Sequence, residues 1–147
     1  MENARKEMET DMTEEFRTKL INNMAQISYV QNMNISVEKM DDGIVVSRIP
    51  FGKSVTNNRG SVHGGALFTL ADTTCGMACR TFGKDVTTID GSINYLLPAL
   101  DTEYVQCEAN LVRKGGRIIV YRADIKNDKG DMLAVGTFTF MVLPIDM

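Results

Sequence analysis

Asp72 is a carboxylate set among apolar neighbours: Leu70 and Ala71 precede it, and Cys75, Met77 and Ala78 follow. Upstream lies Asn57-Asn58-Arg59-Gly60-Ser61-Val62-His63-Gly64-Gly65, which holds the chain's one histidine beside two glycines. Glycines at a helix start leave backbone N–H groups open to close approach. Those groups carry the positive end of the helix dipole and can receive an anion or a developing oxyanion. A carboxylate can act as a general base or as a nucleophile. Together these are parts for attack on a carbonyl group. The residues alone leave a second reading open for each: Asp72 can cap a neighbouring loop, and His63 can orient the loop rather than move a proton.

The elements that position these groups follow from periodicity. Val62, Ala66, Leu67, Leu70, Ala71, Met77 and Ala78 recur at helical spacing with no Pro between them. This predicts a helix over 62–80, with Ser61 as its N-cap and Phe82-Gly83 as its stop. Gly64 and Asp72 are eight residues apart, about 12 Å along such a helix. One helix therefore cannot bring its own Gly64 N–H and its own Asp72 to the same carbonyl. If both act on one substrate, the second comes from another copy of the chain across a two-fold axis.

The rest of the chain reads as a framework for that helix. Residues 1–10 are charged, and Asp11-Met12-Thr13-Glu14 gives a capping signature. Phe16, Leu20, Met24 and Ile27 then form one stripe, so an amphipathic helix is expected over about 12–27, covering a sheet edge or a pocket mouth. Residues 34–40 and 44–49 form a hairpin about Asp41-Asp42-Gly43. After the helix come four alternating runs. In the first, Thr87, Ile89, Gly91, Ile93 and Tyr95 share one face and Thr88, Asp90, Ser92 and Asn94 the other. The last run, from Met132 to Leu143, is apolar on both faces, so it is expected to be central or covered. The sum is an α+β domain: about six antiparallel strands wrapped around one long central helix, the hotdog arrangement, with an extra N-terminal helix. The expected division is 1–28 for the charged segment and amphipathic helix, and 29–147 for the hotdog domain.

Composition narrows the classes. At 147 residues the chain fits one domain, and its net charge of −3 argues against a nucleic-acid binder. No apolar run is long enough to span a bilayer, and the N-terminus lacks a signal peptide's apolar core, so no membrane partner and a cytoplasmic location are expected. Three cysteines and a single histidine fit small core residues in a reducing compartment, and no metal site is expected. There is no Gly-x-Ser-x-Gly elbow and no phosphate-binding Gly-Lys-Ser/Thr loop.

Asn57-x-x-Gly60-x-x-His63-Gly64-Gly65 followed by Leu70-Ala71-Asp72 resembles the signature of hotdog acyl-CoA thioesterases of the phenylacetate-degradation (PaaI) type. Thr88 to Ala99, and Gly116-Arg117 through Gly136 to Phe140, fit the same pattern, so the likeness runs from about residue 30 to 143. The resemblance implies hydrolysis of an acyl-CoA thioester, with coenzyme A entering only as part of the substrate and no cofactor. It also implies a homodimer with a continuous sheet, pairing again into a dimer of dimers. On this likeness Gly64 N–H polarises the carbonyl, and the partner subunit's Asp72 is base or nucleophile. Asn57 holds water or the thioester, His63 supports the loop and the amide geometry, Gly65 contacts the substrate, and Thr88 assists the water. Arg113, Lys114 and Arg117 cluster at a turn and could meet the phosphates of coenzyme A, a solvated turn being the competing view; Arg59 and Lys53 are weaker candidates of that kind. Two other readings stay open: a hotdog dehydratase or hydratase, and a non-catalytic acyl-CoA sensor.

Overall fold

A computed structural model describes residues 12–147. Helix α1 spans Glu14–Ala25. Thr13 caps it, its hydroxyl oxygen accepting from the Phe16 N–H at 3.1 Å, and Glu14 and Glu15 place negative charge at the positive end of the helix dipole. The expected cap, Asp11, lies outside the described residues. The helix is shorter than its apolar stripe suggests because Ile27 is extended and starts a second short helix, α2, over Ser28–Asn32. Leu20 and Met24 of α1 and Val30 of α2 are buried in the same apolar cluster as the sheet residues.

The hairpin strands are β1 (Ser36–Asp41) and β2 (Ile44–Pro50). Helix α3 follows over Gly64–Arg80, and then come β3 (Lys84–Tyr95), β4 (Tyr104–Lys114), β5 (Ile118–Asn127) and β6 (Met132–Asp146). All pairings are antiparallel in the order β1-β2-β4-β5-β6-β3. Strand β6 lies between β5 and β3; its inner face, with Phe138 and Phe140, is buried, and its outer face, with Thr137 and Met141, is exposed. The sheet wraps α3, whose Leu70, Ala71 and Cys75 meet sheet residues such as Val45, Tyr121 and Phe138 in the closed core. The α+β architecture expected from the sequence is the one observed.

Two local details differ. Helix α3 begins at Gly64 rather than Val62, and its N-cap is His63 rather than Ser61. Ser61 is held instead by Asn57, and Val62 is bridged to Thr56, so the chain is still extended there.

The second difference changes a face of β3. Thr88 pairs with Phe140, but the next pair is Asp90 with Thr139, so Ile89 is an extra residue in the ladder. Such a bulge reverses the alternation. Before it, Val86 and Thr88 lie opposite the inward Val142 and Phe140; after it, Gly91, Ile93 and Tyr95 lie opposite the inward Phe138, Gly136 and Ala134. Strict alternation put Thr88 on the face away from Gly91 and Tyr95. The bulge brings all three to the helix side and turns Ile89 outward, where it is 53% exposed.

Cys75, Cys79 and Cys107 are free thiols buried in the core. Burial pushes Cys79 and Cys107 from 9.0 up to about 12, and Cys75 also upward. Unfolded thiols ionise near 9.0 while the folded ones keep their protons, so the folded state holds more protons between pH 9 and about 12. The stability these thiols contribute is complete below pH 9 and is lost as pH rises toward 12. Urea unfolding followed across that window is expected to show falling stability, with a shallower fall in Cys107→Ala.

Candidate active site

The loop before α3 is built on Asn57. Its Oδ1 accepts from the Arg59 N–H at 2.9 Å and the Ser61 N–H at 3.2 Å, and its Nδ2 donates to Ser61 Oγ at 2.9 Å. Gly60, at φ 78, takes the left-handed position that the tight return requires. The loop is then locked to the body of the protein: the His63 N–H donates to Val55 O at 2.7 Å and the Val62 N–H to Ala99 O at 3.2 Å. Asn57 therefore shapes the approach to the helix with both ends of its amide.

His63 organises the helix tip. Its carbonyl accepts from the Ala66 and Leu67 N–H groups, and its Nδ1 accepts from the Gly65 N–H at 2.8 Å. Among the first-turn amides of α3 this leaves the Gly64 N–H without an acceptor among the described residues. Tyr95, which the sequence reading passed over as a strand aromatic, completes the tip. Its hydroxyl donates to Gly64 O at 2.8 Å, and its ring lies so close that a Cβ on Gly64 would stand 3.1 Å from it. Burial pushes the Tyr95 hydroxyl up from its usual 10.0, so it remains a donor. The peptide joining Gly64 and Gly65 is thus held at its carbonyl by Tyr95 and at its N–H by His63. The alternation put Tyr95 on the apolar face with Gly91 and Ile93, where the structure keeps it; the contact with Gly64 comes from tertiary packing that periodicity does not report.

Two turns along α3, Thr88 Oγ1 donates to Asp72 Oδ1 at 2.7 Å. Both line a cavity of about 480 Å3 between α3, the start of β3 and the N-terminal helices. His63 and Gly65 face a separate cavity of about 310 Å3 at the helix tip. Tyr29 of α2 lies on both, bonded at 2.9 Å to Thr69 Oγ1, which itself donates to Gly65 O. The candidates thus fall into two groups on one helix, Asn57-His63-Gly64-Gly65 at its tip and Asp72-Thr88 along its side. Arg113, Lys114 and Arg117 join neither group. They surround the β4–β5 turn, where the Lys114 ammonium lies 4.3 Å from the centre of the Phe82 ring. No helix among the described residues is long and apolar enough to cross a membrane.

Residues 59–134 match the thioesterase superfamily. The chain belongs to that family. A Halobacterium salinarum protein named as an esterase is 34% identical, over 78% of this chain and 83% of its own. The acyl-coenzyme A thioesterase PaaI of Escherichia coli is 28% identical over 70% of this chain and 74% of its own. The structure of E. coli PaaI shares the fold at a TM-score of 0.77, with 23% identity over 87% of this chain and 96% of that one. A hypothetical thioesterase of Streptococcus pneumoniae, solved with coenzyme A, is 35% identical over 75% of this chain and 86% of its own, at a TM-score of 0.71. The protein is a hotdog thioesterase of the PaaI type, a thioester hydrolase.

The pinned tip can be tested directly. Tyr95→Phe keeps the ring against Gly64 and removes one hydrogen bond, worth about 1 kcal/mol. Amide exchange at Gly65 is expected to rise roughly fivefold, while exchange in β5 is unchanged. Equal exchange in both proteins would mean that Tyr95 does not hold the tip.

Proposed function

We propose that the protein hydrolyses acyl-CoA thioesters at a site shared by two subunits, with Gly64 N–H of one and Asp72 of the other converging on the acyl carbon. The observation that carries this is the Thr88–Asp72 hydrogen bond on the wall of the larger cavity. A carboxylate held by a hydroxyl at one oxygen keeps its other oxygen for water or for the acyl carbon. Gly64, whose first-turn amide has no acceptor among the described residues, is the donor for the thioester carbonyl oxygen. Thr88 aligns the carboxylate and the attacking water, and the thiolate leaves once the tetrahedral intermediate collapses. Asn57 acts through the loop it shapes and has one amide hydrogen left for water. His63 caps the helix through Nδ1, which leaves that nitrogen no role as an acid. These steps need no metal or redox cofactor.

Relatives support the assignment. Two further structures of the S. pneumoniae protein each carry a single alanine, one replacing an aspartate and one a threonine sixteen positions later. Asp72 and Thr88 are the same interval apart.

The geometry of one chain also asks for a second. Strand β3 pairs with β6 on one side and presents an unpaired edge on the other, carrying the exposed Ile89 and Tyr95, with Leu96 and Leu97 just beyond. A long apolar edge of this kind is covered in stable proteins. In the proposed dimer two such edges pair about a two-fold axis and make one continuous sheet, each α3 tip facing the side of its neighbour. A dimer of dimers, the cytoplasm as location, and contact of Arg113, Lys114 and Arg117 with the phosphates of coenzyme A belong to the same proposal.

Thiol release from a panel of acyl-CoAs tests the reading. Asp72→Asn is expected to lower kcat by about 10²–10⁴-fold, the usual contribution of a positioned base. Full activity in that variant would remove Asp72 from the site. Mixing Asp72→Asn subunits with subunits blocked at the tip by Gly64→Val is expected to restore activity through one intact shared site per hybrid. No recovery after proven subunit exchange would overturn the shared arrangement.

A further inference from the structure

The Gly64 N–H is one end of a peptide whose other end is already engaged. The carbonyl of that peptide, His63 O, accepts from the Ala66 N–H at 2.9 Å. The Ala66 N–H belongs in turn to the peptide whose carbonyl is Gly65 O, and Gly65 O accepts from Thr69 Oγ1 at 2.9 Å. Thr69 is buried, and its hydroxyl oxygen lies 2.9 Å from the hydroxyl of Tyr29. A threonine hydroxyl has a single hydrogen to give. With that hydrogen on Gly65 O, the bond between the two hydroxyls is made by the Tyr29 O–H donating to Thr69 Oγ1.

The direction of every bond is therefore set. Tyr29 donates to Thr69, and Thr69 donates to the Gly65 carbonyl. Across that peptide the Ala66 N–H donates to the His63 carbonyl, whose own peptide ends in the Gly64 N–H. All the dipoles point the same way. Aligned hydrogen bonds polarise one another, by about 10–30% per bond. The donor at the head of such a chain is strengthened, and here the head is the amide that has no acceptor among the described residues. Tyr29 stands on the wall of both cavities with 60% of its surface exposed, so burial does little to hold its ring.

We propose that Tyr29 and Thr69 are positioning residues for the oxyanion donor, their hydroxyls holding and polarising the Gly64 N–H through the peptides of the helix tip. This rests on the reading that the Gly64 N–H receives the thioester oxygen. Charge grows on that oxygen as the tetrahedral intermediate forms, so the chain contributes more to the transition state than to substrate binding. A hydroxyl pair that only ties α2 to α3 acts on stability and leaves no signature at Gly64.

Two variants cut the chain while keeping the shape of the side chain: Tyr29→Phe and Thr69→Val. Losing an oxyanion donor outright costs about 10²–10³ in kcat, and a 10–30% share of that free energy is about a two- to eightfold loss. Tyr29→Phe is expected to lower kcat by that factor with KM unchanged, the mark of an interaction made in the transition state. Thr69→Val is expected to fall at least as far, and the double variant no further, because the two act in series. Thr69→Ser keeps the hydroxyl and is expected to keep wild-type kcat. In amide spectra of the ligand-free protein, the Gly64 nitrogen is expected to move upfield in Tyr29→Phe and Thr69→Val and to stay in place in Thr69→Ser. Unmoved amides in β5 show that each variant is folded. A Gly64 shift with kcat untouched, or in a protein whose wild type releases no thiol, overturns the functional reading and leaves the chain standing. A Gly64 amide that keeps its wild-type position in both folded variants, a loss confined to KM, or losses that add in the double variant overturn the chain.

Discussion

The hydrogen bond from Thr88 to Asp72 is the contact on which the site's arrangement depends. Asp72 rises from a helix whose neighbouring Leu70, Ala71 and Cys75 are fully buried, and a carboxylate beside a closed core requires a partner. The partner comes from the edge strand, and it reaches the helix only because of where the bulge lies. Thr88 precedes the extra residue Ile89, and Tyr95 follows it with the alternation reversed. Without the bulge, one of the two would point away from α3. A single inserted residue thus lets one strand hold both the carboxylate on the side of the helix and the glycine peptide at its tip.

Rigidity at the tip has the same economy of parts. His63 satisfies three first-turn amides through its carbonyl and its ring nitrogen, and it leaves Gly64 as the open donor. Tyr95 fixes the plane of the next peptide from the other side. A donor that must meet charge as it develops works best when it does not have to reorient, and this tip has few ways to move. The straightness of α3 then sets the assembly problem. The open amide and the carboxylate are separated by more than two turns of one helix, and Asp72 lines the larger cavity while Gly64 does not. No side-chain rotation within one chain closes that gap, which is why a two-subunit site follows from the proposed chemistry.

Much of this was legible in the sequence because the signals are periodic. The apolar recurrence along α3 and the alternation of β4 and β5 reflect burial, and burial is what period reports. The conjunction of loop glycines with a lone carboxylate two turns on marked both groups of candidate residues. Legibility failed where one residue breaks a period. The Ile89 bulge leaves no compositional trace, so Thr88 was placed on the face opposite Gly91 and Tyr95. The cap failed for a related reason: Ser61 is the better cap by type, but its partner is Asn57 across the turn, and a histidine ring reaches the helix amide instead. Tertiary pairing decided both cases. The break between α1 and α2 at Ile27 belongs with them, since the stripe of Phe16, Leu20, Met24 and Ile27 continues in sequence where the backbone does not.

The glycines of α3 show how the fold accommodates the site. Gly64, Gly65 and Gly76 each weaken a helix by roughly 1 kcal/mol relative to alanine. Each lies where another group presses on the helix surface: the Tyr95 ring on Gly64, His63 Nδ1 on Gly65, and Arg80 Nη1 with Phe140 on Gly76. A methyl group at any of these positions would stand 3.0 or 3.1 Å from its nearest neighbour. The helix persists because the enclosing sheet and its buried face hold it, and propensity contributes little in such a setting. Helix stability supplied from outside leaves the helix surface free to be shaped for contact. The same three positions that cost helix propensity give the open tip, the pinned peptide and the depth of the cavity, so the wrapping of the sheet around α3 is a condition of the chemistry as well as of the fold.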